Sequence, residues 1–107
     1  PNSTAQINGS FALPIANKTA AYTATSSDFA ITGDASAAAF TISLPTAVGI
    51  AGRIYTIKKI DSSANAITVA SAGTETIDGA ATYTLGAQWK YVTVMSNGAN
   101  WIVTANN

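Results

Sequence analysis

The sequence predicts an all-β protein, a small antiparallel β-sandwich or barrel-like domain with an extended N-terminal arm. Three observations carry this. Short runs rich in Thr, Ile, Val and Tyr recur along the chain, each stopped by Gly, Pro, Asp, Asn or Ser. No window of useful length repeats its apolar residues at the 3.6-residue period of a helix. Only 9% of the 107 residues are charged, against about 25% in an ordinary soluble domain, so hydroxyls and amides must cover the surface.

Residues 1–19 read as an arm or linker and residues 20–107 as the β-domain. The arm contains Pro1, Gly9 and Pro14. Phe11, Leu13 and Ile15 alternate as in a docking strand, which Pro14 confines to a sheet edge. Strand runs follow at 19–25, 29–32, 40–44, 53–60, 67–70, 75–77, 82–85, 90–96 and 101–104. Between them stand Ser26-Ser27-Asp28, Gly33-Asp34, Pro45, Asp61-Ser62-Ser63-Ala64-Asn65, Gly73, Asp78-Gly79, Gly86 and Asn97-Gly98, all turn chemistry. The alanine-rich stretch 35–39 favours helix by propensity. It lies between Gly33-Asp34 and a Thr/Ile strand, and reads as a turn. Asn97-Gly98, set between two β-rich runs, is the strongest hairpin signal, with positive φ expected at Gly98.

Composition excludes several functions. Without Cys or His there is no zinc finger, Fe–S cluster, disulfide framework, thiol nucleophile or Ser-His-Asp triad. Five scattered basic residues balance five acidic ones, so no nucleic-acid-binding patch is expected. No apolar run approaches the roughly 18–20 residues of a membrane span, and no signal peptide is visible at the start. No cofactor and no metal site is expected.

A few residues remain as candidates for chemistry. Glu75 and Asp78 could be read as the two carboxylates of a glycosidase, but Asp78 before Gly79 has the look of a turn residue. Along a strand, side chains alternate faces, so the run 53–60 has two readings. If Ile54 and Ile60 point inward, Lys58 does too, and its ammonium needs a carboxylate or carbonyls. If Tyr55 and Ile57 form the core face, Lys58 is solvated. Trp89, Tyr91 and Trp101 suit either sugar stacking or packing, in the core or at a subunit interface. Both faces of 53–60 and of 89–95 carry apolar side chains, and one core cannot use both faces of a strand. A closed three-fold assembly would bury the second face.

A series of short pieces gives a resemblance. In order they are Ser27-Asp28-Phe29-Ala30-Ile31, Phe40-Thr41-Ile42-Ser43-Leu44-Pro45, Ala51-Gly52-Arg53-Ile54-Tyr55-Thr56-Ile57-Lys58-Lys59, Asp61-Ser62-Ser63-Ala64-Asn65, Glu75-Thr76-Ile77-Asp78-Gly79, Val92-Thr93-Val94 and Ser96-Asn97-Gly98-Ala99-Asn100-Trp101. Together, from Ser27 to Val103, they resemble a domain of bacteriophage tail fibres and other virion surface proteins. The resemblance implies a small, usually trimeric, non-enzymatic β-module, a tail-fibre or receptor-binding part acting in host attachment. It places the protein on the virion surface after assembly in the host cytoplasm. Its expected partners are two further copies of itself, other virion proteins, and a host-surface glycan or protein receptor. The family pattern makes Glu75 and Asp78 the nearest acidic partners for an inward Lys58. Two alternatives stand beside this. One is a trimeric capsid decoration or cement protein tethered by residues 1–19. The other is a carbohydrate-binding module from a glycan-degrading enzyme.

Overall fold

The computed structural model describes residues 4–107; residues 1–3 of the expected arm lie outside it. Among the described residues there are nine strands and no helix. They are β1 (Ile15–Lys18), β2 (Tyr22–Thr23), β3 (Ala30–Gly33), β4 (Phe40–Ser43), β5 (Ile54–Lys59), β6 (Ile67–Ala70), β7 (Thr82–Leu85), β8 (Tyr91–Ser96) and β9 (Trp101–Asn106). They form a five-stranded sheet in the order β1-β3-β5-β8-β9 and a four-stranded sheet in the order β2-β4-β6-β7. The all-β expectation is met.

The expectation of antiparallel pairing is corrected. Both sheets are mixed: β1-β3, β3-β5, β2-β4 and β4-β6 are parallel, and only β5-β8, β6-β7 and β8-β9 are antiparallel. The cause is the path of the chain. From β1 to β6 each strand lies in the sheet opposite to its predecessor, so the crossover that a parallel pair needs is itself a strand of the other layer. Turn residues mark where a strand stops, and are silent about which layer the next one joins. The first strand also begins earlier than expected. Ile15–Lys18, inside the segment read as an arm, pairs with Ala30–Gly33, and the carbonyl of Pro14 accepts the Ala30 N–H at 3.1 Å. The run 75–77 forms no strand; Ile77 makes single bridges to Ala80 and Trp101.

Alternation fills the space between the sheets. Ile31, Tyr55, Ile57, Val92, Val94 and Trp101 project from the five-stranded sheet. Ile42, Ile67, Val69 and Leu85 meet them from the other. Gly33 faces the same core, where a Cβ would stand 2.3 Å from Ile67 Cδ1. A side chain at this position would have to displace that methyl from between the layers. Among the described residues the buried side-chain polar atoms are satisfied: Tyr55 donates its hydroxyl to the Thr25 carbonyl at 2.9 Å, Trp101 Nε1 donates to the Pro45 carbonyl at 3.2 Å, and Ser96 Oγ donates to the Ala47 carbonyl at 2.7 Å.

Candidate functional site

Strand β5 resolves the two readings of the run 53–60. Tyr55, Ile57 and Lys59 are its buried positions, while Ile54, Thr56 and Lys58 face outward and are half-buried. The large Tyr55 and Ile57 side chains claim the core face, and the alternation then carries Lys59 inside with them. The expected ion pair of Lys58 with Glu75 or Asp78 is therefore corrected. The buried ammonium is that of Lys59, and it meets Asp61 at 2.8 Å. Asp61 also accepts N–H bonds from Ala35 at 2.7 Å and Ser63 at 3.1 Å, and a bond from the Ser63 hydroxyl. Burial alone would push this carboxyl up; the Lys59 and Ser63 side chains and the two backbone N–H groups outweigh it and hold the carboxyl well below its usual range. The cluster ties the loop after β3 to the loop after β5, and its role is structural.

Glu75 and Asp78 have separate duties. Glu75 accepts from the Thr46 hydroxyl and, at 2.8 Å, from the Ala47 N–H, and these two donors lower its pKa. Asp78 accepts the Val103 N–H at 2.9 Å. It also occupies a left-handed backbone position, φ 48°, followed by Gly79 at φ 83°, and Ile77 and Ala80 exchange hydrogen bonds across the pair. That is a two-residue turn of the primed kind, which needs positive φ at both positions. Asp28 is internal in the same way, held by the Tyr22 phenol at 2.7 Å and the Thr25 N–H at 2.8 Å. Among the described residues no three acidic side chains are grouped as metal ligands would be.

Asn97 and Gly98 do join β8 to β9, as expected, with Gly98 at φ 95°. Their loop has four residues, 97–100, between the expected strand ends. Asn97 closes it by accepting the Ala99 and Asn100 N–H groups on its side-chain oxygen, at 3.0 and 2.8 Å.

The three aromatic candidates separate. Trp101 is fully buried and packs tilted against Tyr55 at a centroid distance of 5.6 Å, so core packing is the reading that holds for it and glycan or interface contact is corrected. Trp89 and Tyr91 stay outside and come together on the outer face of the five-stranded sheet. Lys58 is directly opposite Tyr91 in the β5-β8 ladder, and its ammonium lies 5.7 Å from the centroids of both rings. Trp89 is 54% exposed and has φ 70°. A left-handed non-glycine residue costs about 1–3 kcal/mol and persists only where its surroundings over-determine it. Here its N–H donates to the Lys59 carbonyl at 2.8 Å and its carbonyl accepts from Asn107 Nδ2 at 3.1 Å. On either side, Gln88 Nε2 donates to the Ile60 carbonyl and Lys90 N–H to the Ala87 carbonyl. The backbone is thus clamped while the indole is left in solvent. Only the register, which no local pattern encodes, brings Lys58 to these rings.

A second feature lies at the other end of the same face. Ile54, Met95 and Ile102 stand in one row across β5, β8 and β9. Beside Ile54 is a groove of about 420 Å³, lined by Leu13, Phe29, Ile50 and Arg53 among others. The outer face of the four-stranded sheet is different. Its central row is Thr41, Thr68 and Thr84. Compared with known proteins, the chain matches no family and no curated sequence.

Proposed function

We propose that the chain is a non-enzymatic structural module of a bacteriophage virion, a tail-fibre or receptor-binding part that acts in host attachment. In this reading it is a two-layer sandwich at the virion surface, assembled as a homotrimer among other virion proteins. The resemblance of the segment from Ser27 to Val103 to tail-fibre domains supports the setting. The observation that carries the adhesive role is Trp89. A left-handed backbone position costs stability, its indole stays 54% exposed, and exposed aromatics of this kind are the anchors of recognition surfaces. The row Ile54, Met95 and Ile102, with its neighbouring groove, supports trimer formation at the opposite end of the face, leaving Trp89 free on each copy. Three linked weak sites would then gain avidity from effective concentration.

Light scattering and cell binding test this together. A mass near three chains is expected, as is attachment of the labelled protein to the surface of some strains in a panel of intact bacteria. Trp89→Ala should keep the mass and lose attachment. A monomer that persists at high concentration removes the trimer, and attachment indifferent to Trp89 removes the adhesive site.

One observation favours capsid decoration as a second reading. Ile7, Phe11 and Leu13 are exposed in a segment without a strand, ahead of β1. An arm that offers apolar side chains suits a tether. Binding to capsid lattices that is lost on Phe11→Ser, with Trp89→Ala neutral, would favour it over attachment.

A further inference from the structure

We propose that the outer face of the five-stranded sheet binds an acidic glycan, with a sugar ring against Trp89 and the anionic group at Lys58. The proposal rests on the adhesive reading above and names the class of ligand that the site takes.

The distribution of charge is the first argument. All five carboxylates already have partners within the chain: Asp28 has Tyr22 and Thr25, Asp34 the Ser36 N–H, Asp61 Lys59, Glu75 Thr46 and Ala47, and the exposed Asp78 the Val103 N–H. None is an outward-facing residue of β1, β3, β5, β8 or β9. Lys58 makes no ion pair and no hydrogen bond among the described residues; only the two aromatic faces stand beside it. Cation–aromatic contacts at this distance hold the ammonium near the rings without neutralising it. A chain with zero net charge therefore presents one face on which the positive charge is unanswered.

Register supplies the second. Asn17, Thr32, Lys58 and Tyr91 are partners in successive ladders and form one line across β1, β3, β5 and β8. At about 4.8 Å per strand this line is roughly 14 Å long, room for a short oligosaccharide, and Trp89 lies beside it, its ring as near to the Lys58 ammonium as that of Tyr91. The line is rich in donors and poor in acceptors. Thr32 donates to Asn17 Oδ1 at 2.8 Å, which leaves the Asn17 amide hydrogens for a ligand. Lys58 adds three N–H donors and Tyr91 a phenol. An excess of donors around an ammonium without a carboxylate partner favours a ligand whose oxygens carry charge, a carboxylate or a phosphate. The indole supplies the apolar surface for the C–H face of the adjoining ring.

The test uses paired probes on the purified chain, followed by titration calorimetry and intrinsic fluorescence. They are an oligogalacturonate, its neutral methyl ester, a polymer of glycerol phosphate, and a neutral gluco-oligosaccharide. At least one acidic probe should bind about tenfold or more tightly than the neutral ones, since a hydrogen bond to a charged group is the stronger kind. Uronate and phosphate probes separate the two sources of the anion. Binding should weaken with salt. Lys58→Gln should erase the acidic preference, Trp89→Ala should abolish binding, and Lys18→Gln, whose ammonium lies over Tyr22, should change nothing. Trp89→Phe keeps a ring and should retain binding while losing most of the fluorescence response. Thermal melts confirm that each variant folds. Equal binding of acid and ester that still needs Trp89 overturns the acidic preference and leaves the adhesive reading intact. Binding that ignores Trp89, or none to any probe, overturns the glycan site altogether, and the cell-attachment assay then decides the wider reading by itself.

Discussion

At the scale of single residues, two adjacent lysines have opposite lives. Lys59 is sealed against Asp61, and Lys58 is spread over two rings at the surface. Replacing one partner of a buried pair leaves the other charge stranded. Lys59→Met should therefore lower the melting temperature by about 10 °C or more, and Lys58→Met by less than about 2 °C, as read by thermal melts. Equal effects would contradict the assignment. Period-two alternation limited the choice to one lysine or the other. It could not choose, because Ile54 and Ile60 on one face and Tyr55 and Ile57 on the other are both apolar sets. Gly33 is a residue whose role is invisible in sequence, since the Ile67 methyl that fills its space belongs to the opposite sheet. Gly33→Ala overpacks that point and should cost about 1–3 kcal/mol in denaturant unfolding. No loss would mean that the layers can part freely there.

At the scale of elements, the Asp-Gly and Asn-Gly pairs make connections of different length. The two-residue turn of positive φ belongs to Asp78-Gly79, and Asn97-Gly98 opens a longer loop. Both dipeptides tolerate φ > 0; loop length depends on where pairing resumes, and β9 resumes only at Trp101. Gly98 still needs its conformation. Gly98→Val should destabilise the protein clearly, because β-branched residues resist positive φ. A wild-type melting temperature would show that the loop rearranges at no cost. The outer faces of the two sheets give a sharper comparison. If the apolar row of the five-stranded sheet is the subunit contact, Met95→Lys should yield monomers in light scattering. Thr68→Lys, in the threonine row of the other sheet, should leave the trimer whole. The reverse result would move the contact to the four-stranded sheet. Strand positions were largely legible because turn residues bracket them. Parallel pairing was not, because it depends on which layer each strand enters.

At the scale of the whole molecule, buried and hydrogen-bonded carboxyls make stability depend on acid. Asp28, Asp34, Asp61 and Glu75 are all lowered by folding. For Asp28 and Asp61 burial pushes the other way and donated hydrogen bonds prevail. A depressed folded value means that the unfolded chain binds more protons in acid. The stabilisation is thus complete above about pH 5 and drains away as pH falls below about 4. Tyr22 and Tyr55 are raised, the first chiefly by its bond to Asp28 and the second by burial. A raised tyrosine favours folding below its unfolded value and loses that contribution above about pH 10. The chain has neither His nor Cys to titrate between. Melts against pH should show a plateau from about 5 to 9 with losses on both sides. A step near neutrality would contradict the account. The all-β class was readable from composition and periodicity alone. The site was half readable: Trp89 and Tyr91 could be named as exposed or packed aromatics, but their lysine came from a strand more than thirty residues away in sequence, about a ladder's register.

The interleaved path from β1 to β6 also governs time. Partners such as Ile15 and Ala30, or Phe40 and Ile67, are 15 and 27 positions apart, and a strand of the other layer must be laid down between them. Little can zip up locally before long loops have closed, so folding should be slow for the chain's length. The return path is obstructed in the same way. Neither layer is a continuous piece of chain, and one cannot peel off as a unit while the other stays folded. A nick in the connection 44–53 would leave two fragments that each still hold strands in both layers. The working lifetime of such a molecule is set by the height of its exit barrier, more than by the depth of the well behind it.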